Sequence, residues 1–157
     1  MKQSKTNAIR ILESHNIPFS THSYEVDEND LSGISVAQKI GAVEDSVFKT
    51  LVARGDKNGI NIFCIPVTLE LNLKKAASAS GNKKIEMVKM KELFDLTGYI
   101  RGGCSPIGMK KQYPTYIDET AQLYDEIYIS AGVRGMQVKI KTEDLIKIVN
   151  GSFAVLT

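Results

Sequence analysis

A lysine stands where a strand would ordinarily place a hydrophobic side chain. In the run Val47-Phe48-Lys49-Thr50-Leu51-Val52-Ala53, the two-residue period of a β-strand puts Lys49 on the same face as Val47, Leu51 and Ala53. Burying an ammonium is costly unless it is paired. A lysine in such company therefore implies an anionic partner, a ligand, or an edge strand from which the side chain reaches water. The segment from Tyr99 to Met109 sets Gly102, Gly103, Ser105 and Gly108 around Cys104 and Pro106. Glycines there let a backbone approach a ligand closely and offer N–H donors, although an ordinary tight loop uses the same residue types. A second small-residue corner, Ile129 to Gly135, carries the hydroxyl of Ser130, main-chain donors around Gly132 and the guanidinium of Arg134, a group suited to phosphate.

Other chemistries find less support. Nucleophilic catalysis by Ser or Cys needs a neighbouring base, and the two histidines, His15 and His22, lie early, one on the apolar face of a helix and one in a strand. Cys64 alternates with hydrophobes and reads as core, and Cys104 reads as loop packing with nothing local to lower its pKa. No HxxxH or CxxC occurs, and the acidic run Asp27-Glu28-Asn29-Asp30 lacks the spacing of a calcium loop, so neither a metal nor a cofactor is expected. The glycine segment is neither a Walker nor a Rossmann fingerprint, since no GK[ST] follows.

The elements that must hold these residues are mixed helix and strand. Thr6 caps a first helix with Ala8, Ile11, Leu12 and His15 on one face, ending before Pro18, and a strand follows from Phe19 to Tyr24. Ser35 caps a short helix over Val36 to Ile40, with Gly41 supplying the left-handed end. Val47 to Ala53 and Ile60 to Val67 are joined by a connection rich in glycine and asparagine, which predicts a hairpin. Helices are expected at Leu71 to Ala79 and at Lys89 to Leu96, each stopped by a glycine. Strands near Thr115 to Asp118, Glu126 to Ser130 and Gln137 to Ile140, a helix capped by Thr142 and a strand from Phe153 to Leu156 complete the chain.

With 157 residues, 43% hydrophobic and 24% charged, and no linker-like stretch, the whole chain, residues 1–157, reads as one globular domain. No apolar run approaches the roughly 20 residues of a bilayer span, and nothing marks an export signal, so a cytoplasmic protein without a membrane anchor is expected. From Lys74 to Lys111, nine Lys/Arg stand against three Asp/Glu, so a chain with formal net charge +2 carries −4 outside that segment. Such a basic middle fits phosphates or a solvated surface equally well.

Taken together, Val47 to Val52, Gly98 to Gly108 and Ser130 to Gly135 resemble, in order and spacing, the YbaK/EbsC family of Cys-tRNA(Pro) deacylases, and the likeness runs over essentially the whole chain. The resemblance implies a mixed α/β fold with a curved, barrel-like mixed sheet surrounded by helices, shared with the insertion editing domain of bacterial prolyl-tRNA synthetases. It implies trans-acting removal of cysteine from proline tRNA, with Cys-tRNA(Cys) as a further substrate. Binding differences between amino acids of similar size are too small to exclude the error beforehand. It also implies roles: Lys49, Gly103 and Ser130 as catalytic residues, and Tyr24, Thr50, Gly102, Ser105, Gly132 and Arg134 as substrate-binding ones. In such a site the substrate's own cysteinyl thiol attacks the ester, which accounts for the missing triad, and Cys104 is replaceable. The partners implied are the acceptor end of a mischarged tRNA and a prolyl-tRNA synthetase. Alternatives on the same fold are an Ala-tRNA(Pro) deacylase and a non-catalytic module that binds an aminoacyl-tRNA or a synthetase.

Overall fold

The computed structural model describes residues 5–157. In chain order its elements are α1 (Asn7–Ser14), β1 (Phe19–Ser23), α2 (Gly33–Ile40), β2 (Phe48–Gly55), β3 (Gly59–Pro66), α3 (Leu73–Ser80), β4 (Ile85–Met87), α4 (Met90–Thr97), β5 (Thr115–Asp118), β6 (Glu126–Ser130), β7 (Met136–Lys141), α5 (Thr142–Ile148) and β8 (Ser152–Ala154). The strands form two sheets, one ordered β1-β7-β6 and one ordered β4-β2-β3-β5-β8, the latter mixing antiparallel pairs with the parallel β3–β5 and β5–β8 pairs. The mixed α/β class is as expected, but among the described residues no pairing closes either sheet into a barrel. The two sheets meet through a single parallel bridge, Val47 to Tyr128.

Period-two alternation decides which faces are buried. Phe48 and Val52 of β2 join Ile62 and Cys64 of β3, Ile117, Ile127, Ile129, Val138 and Ile140 in a core between the sheets, closed by α1 and α5 through Leu12 and Leu145. The opposite face of the larger sheet packs Ala53, Phe63 and Ile65 under Ala76 and Ala77 of α3. Burying a core side chain of this size contributes about 1.5–3 kcal/mol, so together these faces fix how β2 is oriented.

Local chemistry explains where the boundaries differ from expectation. Helix α1 buries Ala8, Ile9 and Leu12, whereas His15 is its exposed C-cap, not part of the apolar face. Helix α2 is capped by Ser32, not Ser35: the Ser32 hydroxyl accepts the Ser35 N–H, and the helix begins at Gly33, where a Cβ would fall 2.2 Å from a Val67 methyl. Helix α3 begins at Leu73, because the Asn72 side chain accepts the Lys75 N–H. In α4, Lys89 is the cap residue, and its N–H donates to the Glu92 carboxylate. Thr142 is the first residue of α5, not its cap, and its hydroxyl hydrogen lies between the carbonyls of Ala121 and Tyr124. Strand β1 ends at Ser23 and β8 spans Ser152–Ala154, each shorter than expected.

Candidate functional site

Strand β2 is paired with β3 along its full length but has company on its other edge only at the two ends. Val47 bridges to Tyr128, and Ala53–Gly55 pairs with β4, with Val88 N–H donating to the Val52 carbonyl. Val67 N–H donates to the Val47 carbonyl, so antiparallel alternation turns the main-chain groups of Lys49 and Leu51 toward β3 and those of Thr50 toward the split. A cavity of about 540 Å³ lies there, walled by Val47 and by β2 from Phe48 to Val52, by α2 from Gly33 to Val36, by Met87 to Met90, and by Arg101, Gly102, Cys104, Ser130 and Gln137. Lys49 is therefore on a strand edge and beside a ligand-sized space at once. It is partly buried and, among the described residues, its ammonium makes no ion pair or hydrogen bond.

The far wall is assembled from the glycine loop and the corner after β6, which touch backbone to backbone. A Cβ on Gly103 would lie 3.0 Å from both the Val133 carbonyl carbon and the Arg134 nitrogen, closer than nearly all real contacts. Arg134 Nε donates to the Arg101 carbonyl at 2.7 Å and its stem lies against Gly102, whose φ of +83° only glycine adopts without strain. Tyr99 pins the same junction from behind: its hydroxyl donates to the Ile107 carbonyl at 2.6 Å, and its ring fills the space where a Gly132 side chain would stand. The Thr6 hydroxyl accepts the Ile9 N–H at the start of α1 and donates to the Ala131 carbonyl, fastening the helix to the corner.

This geometry sets the hydrogen-bonding options of the wall. The Ser130 hydroxyl oxygen accepts the Gly132 N–H at 3.1 Å, which leaves its hydrogen free to donate into the cavity. Gly103 N–H is already donated to the Ile100 carbonyl, so of the two neighbouring amides only that of Gly102 remains for a ligand. Opposite Ser130 in the β6–β7 register sits Gln137, 94% buried, with Oε1 lacking any partner among the described residues. An unpaired amide oxygen held inside a protein costs about 1–3 kcal/mol. Such a group facing a cavity is a candidate ligand contact. Among the described residues the lining holds three cations, Lys49, Lys89 and Arg101, and no carboxylate or imidazole. Burial pushes the thiols of Cys104 and Cys64 up to about 12, so neither supplies a thiolate near neutral pH.

Of the residues singled out in the sequence, Lys49, Thr50, Gly102 and Ser130 line this one cavity. Gly103, Gly132, Arg134 and Ser105 do not. The first three build the junction behind the wall, and Ser105, fully buried, accepts the Ile107 N–H. Tyr24 also lies off the lining, its N–H donating to the Gly135 carbonyl. Gln137 was missed. The signal that could have found it is a polar side chain alternating with Val138 and Ile140 on a strand beside Ser130.

The model of a family described as the aminoacyl-tRNA editing domain matches residues 32–148, which includes every lining residue except Leu31. A protein of Enterococcus faecalis, provisionally named Cys-tRNA(Pro)/Cys-tRNA(Cys) deacylase EbsC, is 51% identical over 155 residues, covering 99% of this chain and 94% of its own length. Solved structures that share the fold include the following two. One, described as that of a provisional trans-editing enzyme for prolyl tRNA synthetase, has a TM-score of 0.82 at 24% identity and covers 99% of both chains. The other, of a hypothetical protein, has a TM-score of 0.86 at 17% identity and covers 96% of this chain and 99% of its own.

Proposed function

This chain belongs to the family of aminoacyl-tRNA editing domains, and on that premise we propose that it removes cysteine in trans from mischarged proline tRNA, with Cys-tRNA(Cys) as a second substrate. The observation that carries the proposal is the meeting of Lys49, Thr50, Gly102 and Ser130 on one cavity that contains cations but no carboxylate or imidazole. The name of the 51% identical relative supports the same substrate class.

A wall without a general base of the usual kind suits a substrate that brings its own nucleophile. The cysteinyl sulfur attacks the ester carbonyl carbon, the bond from that carbon to the terminal ribose oxygen breaks, and the thiol proton ends on that oxygen. The first product is a cyclic thiolactone, which water opens to cysteine. Lys49 opposes the negative charge that develops on the carbonyl oxygen, with the Gly102 amide as a second donor. The Ser130 hydroxyl and the Gln137 amide orient the amino group or ribose of the substrate. Holding sulfur and carbonyl in attacking geometry is itself a large part of the rate.

Lys49→Ala tests this directly. Turnover of Cys-tRNA(Pro) should fall by about a hundredfold or more, the scale for losing one charge-stabilising donor, with the circular dichroism spectrum unchanged. Turnover close to the parent's would sink the assignment. Running Ala-tRNA(Pro) in parallel separates a thiol-dependent reaction from alanine clearance by the same fold. Single-turnover hydrolysis by the purified protein excludes a binding module that needs a partner to act, such as a prolyl-tRNA synthetase.

A further inference from the structure

The basic segment from Lys74 to Lys111 divides in space. Lys74, Lys75, Lys83 and Lys84 belong to α3 and the turn beyond it and lie off the cavity. Lys75 donates to the Thr157 carbonyl, and the main-chain N–H groups of Lys83 and Lys84 bond the Asp56 carboxylate. Lys89 and Arg101, by contrast, stand on the cavity's lip, and Lys110 lies 4.9 Å over the Phe94 ring on α4. Among the described residues none of these three cations is paired with a carboxylate. Nearby Glu92 is held by Arg54 and the Lys89 N–H, and Asp95 lies about 100° round the helix from Phe94.

The same lip is apolar where a folded protein has no reason to be. Met90 is 63% exposed and lines the cavity mouth, and Phe94, one helical turn on and about 6 Å away, is 54% exposed even with Lys110 over its ring. Another stretch of the lining is different: Leu31 to Ile34 carries no charge and follows the exposed acidic run Asp27-Glu28-Asn29-Asp30. A polyanion entering this cavity is attracted to the stretch that carries Lys89 and Arg101 and repelled by the acidic run.

We propose that the lip formed by Lys89, Met90, Phe94, Arg101 and Lys110 is the track for the unpaired 3′ nucleotides of the tRNA acceptor, with Met90 and Phe94 taking base faces and the three cations taking phosphates. This rests on the functional reading above, in which the cavity receives the aminoacyl end. Stacking on exposed aromatic and apolar side chains beside backbone-tracking cations is how proteins hold single strands without reading sequence. The track therefore contributes affinity for the acceptor end and leaves tRNA identity unread.

Phe94→Ala and Lys110→Ala test the track, with Lys83→Ala as the control. Phe94→Ala should raise KM for Cys-tRNA(Pro) about tenfold with kcat unchanged, and turnover of 3′-cysteinyl-adenosine, too short to reach Phe94, should equal that of the parent. Lys110→Ala should also make the salt dependence of binding shallower, by about 0.7 in log–log slope, and Lys83→Ala should change nothing. Fluorescence anisotropy of an uncharged acceptor-stem hairpin reads the same surface without turnover. Absence of all deacylation by the parent protein thus counts against the functional reading, and anisotropy still decides the track. Equal hairpin affinity for Phe94→Ala and parent overturns it, as does a defect that appears only when a prolyl-tRNA synthetase is added, which would make the lip a protein dock.

Discussion

Two polar residues face each other across the β6–β7 pair and differ in what the fold has already given them. Ser130 has its acceptor satisfied by Gly132 and keeps a donor, whereas Gln137 has no partner for Oε1. An amide retained in that state opposes folding, because its oxygen lost water and gained no partner in return. Gln137→Met keeps the length of the side chain and removes the amide. It should hold or raise the thermal midpoint while lowering deacylation several-fold, as paired melting and kinetic measurements will read. A fall in midpoint with unchanged turnover would mean the amide serves the fold. The sequence shows Gln137 only as a polar side chain alternating with Val138 and Ile140, and nothing in Met136-Gln137-Val138 distinguishes one facing a cavity from one facing water.

Among the elements, the hairpin of β2 and β3 was legible, because its two β-rich runs flank a turn whose Gly59 takes the positive φ that such a connection needs. The start of α2 was not: Ser35 reads as the cap, whereas in the structure the Ser32 hydroxyl accepts the Ser35 N–H and the helix begins at Gly33, against Val67. Strand β4 was invisible because three residues, Ile85–Met87, carry too little pattern, yet it forms one end of the split that opens the cavity. The glycine loop and the serine corner were each recognisable, but that they touch backbone to backbone is a tertiary fact. That contact can be broken by one methyl group. Gly103→Ala must push Val133 and Arg134 away, at a cost of about 1–3 kcal/mol. It should lower both the thermal midpoint and deacylation although Gly103 itself lies off the cavity. Unchanged activity with a lowered midpoint would separate the junction from the site.

For the molecule as a whole, three acids respond to alkali, two buried, Cys64 and Tyr99, and one half-buried, Cys104. Burial pushes Cys64, Cys104 and the Tyr99 hydroxyl up to about 12, from ordinary values of 9.0 for the thiols and 10.0 for the phenol. Between those ordinary values and about 12 the unfolded chain gives up protons that the folded one keeps, so rising pH favours unfolding. Thermal midpoints should be insensitive to these groups below about pH 9 and fall steadily above it. A midpoint as high at pH 11 as at pH 8 would contradict the burial of all three. Near neutrality the cavity behaves differently, because among the described residues its lining has no carboxylate or imidazole to titrate. The protein is therefore close to a silent background against which its ligand ionises. Bends in a pH–rate profile between about pH 5 and 8 belong to the amino group and thiol of the aminoacyl ester. A substrate series differing only in side chain would then report its own acid–base chemistry, with the enzyme acting as the solvent in which it is recorded.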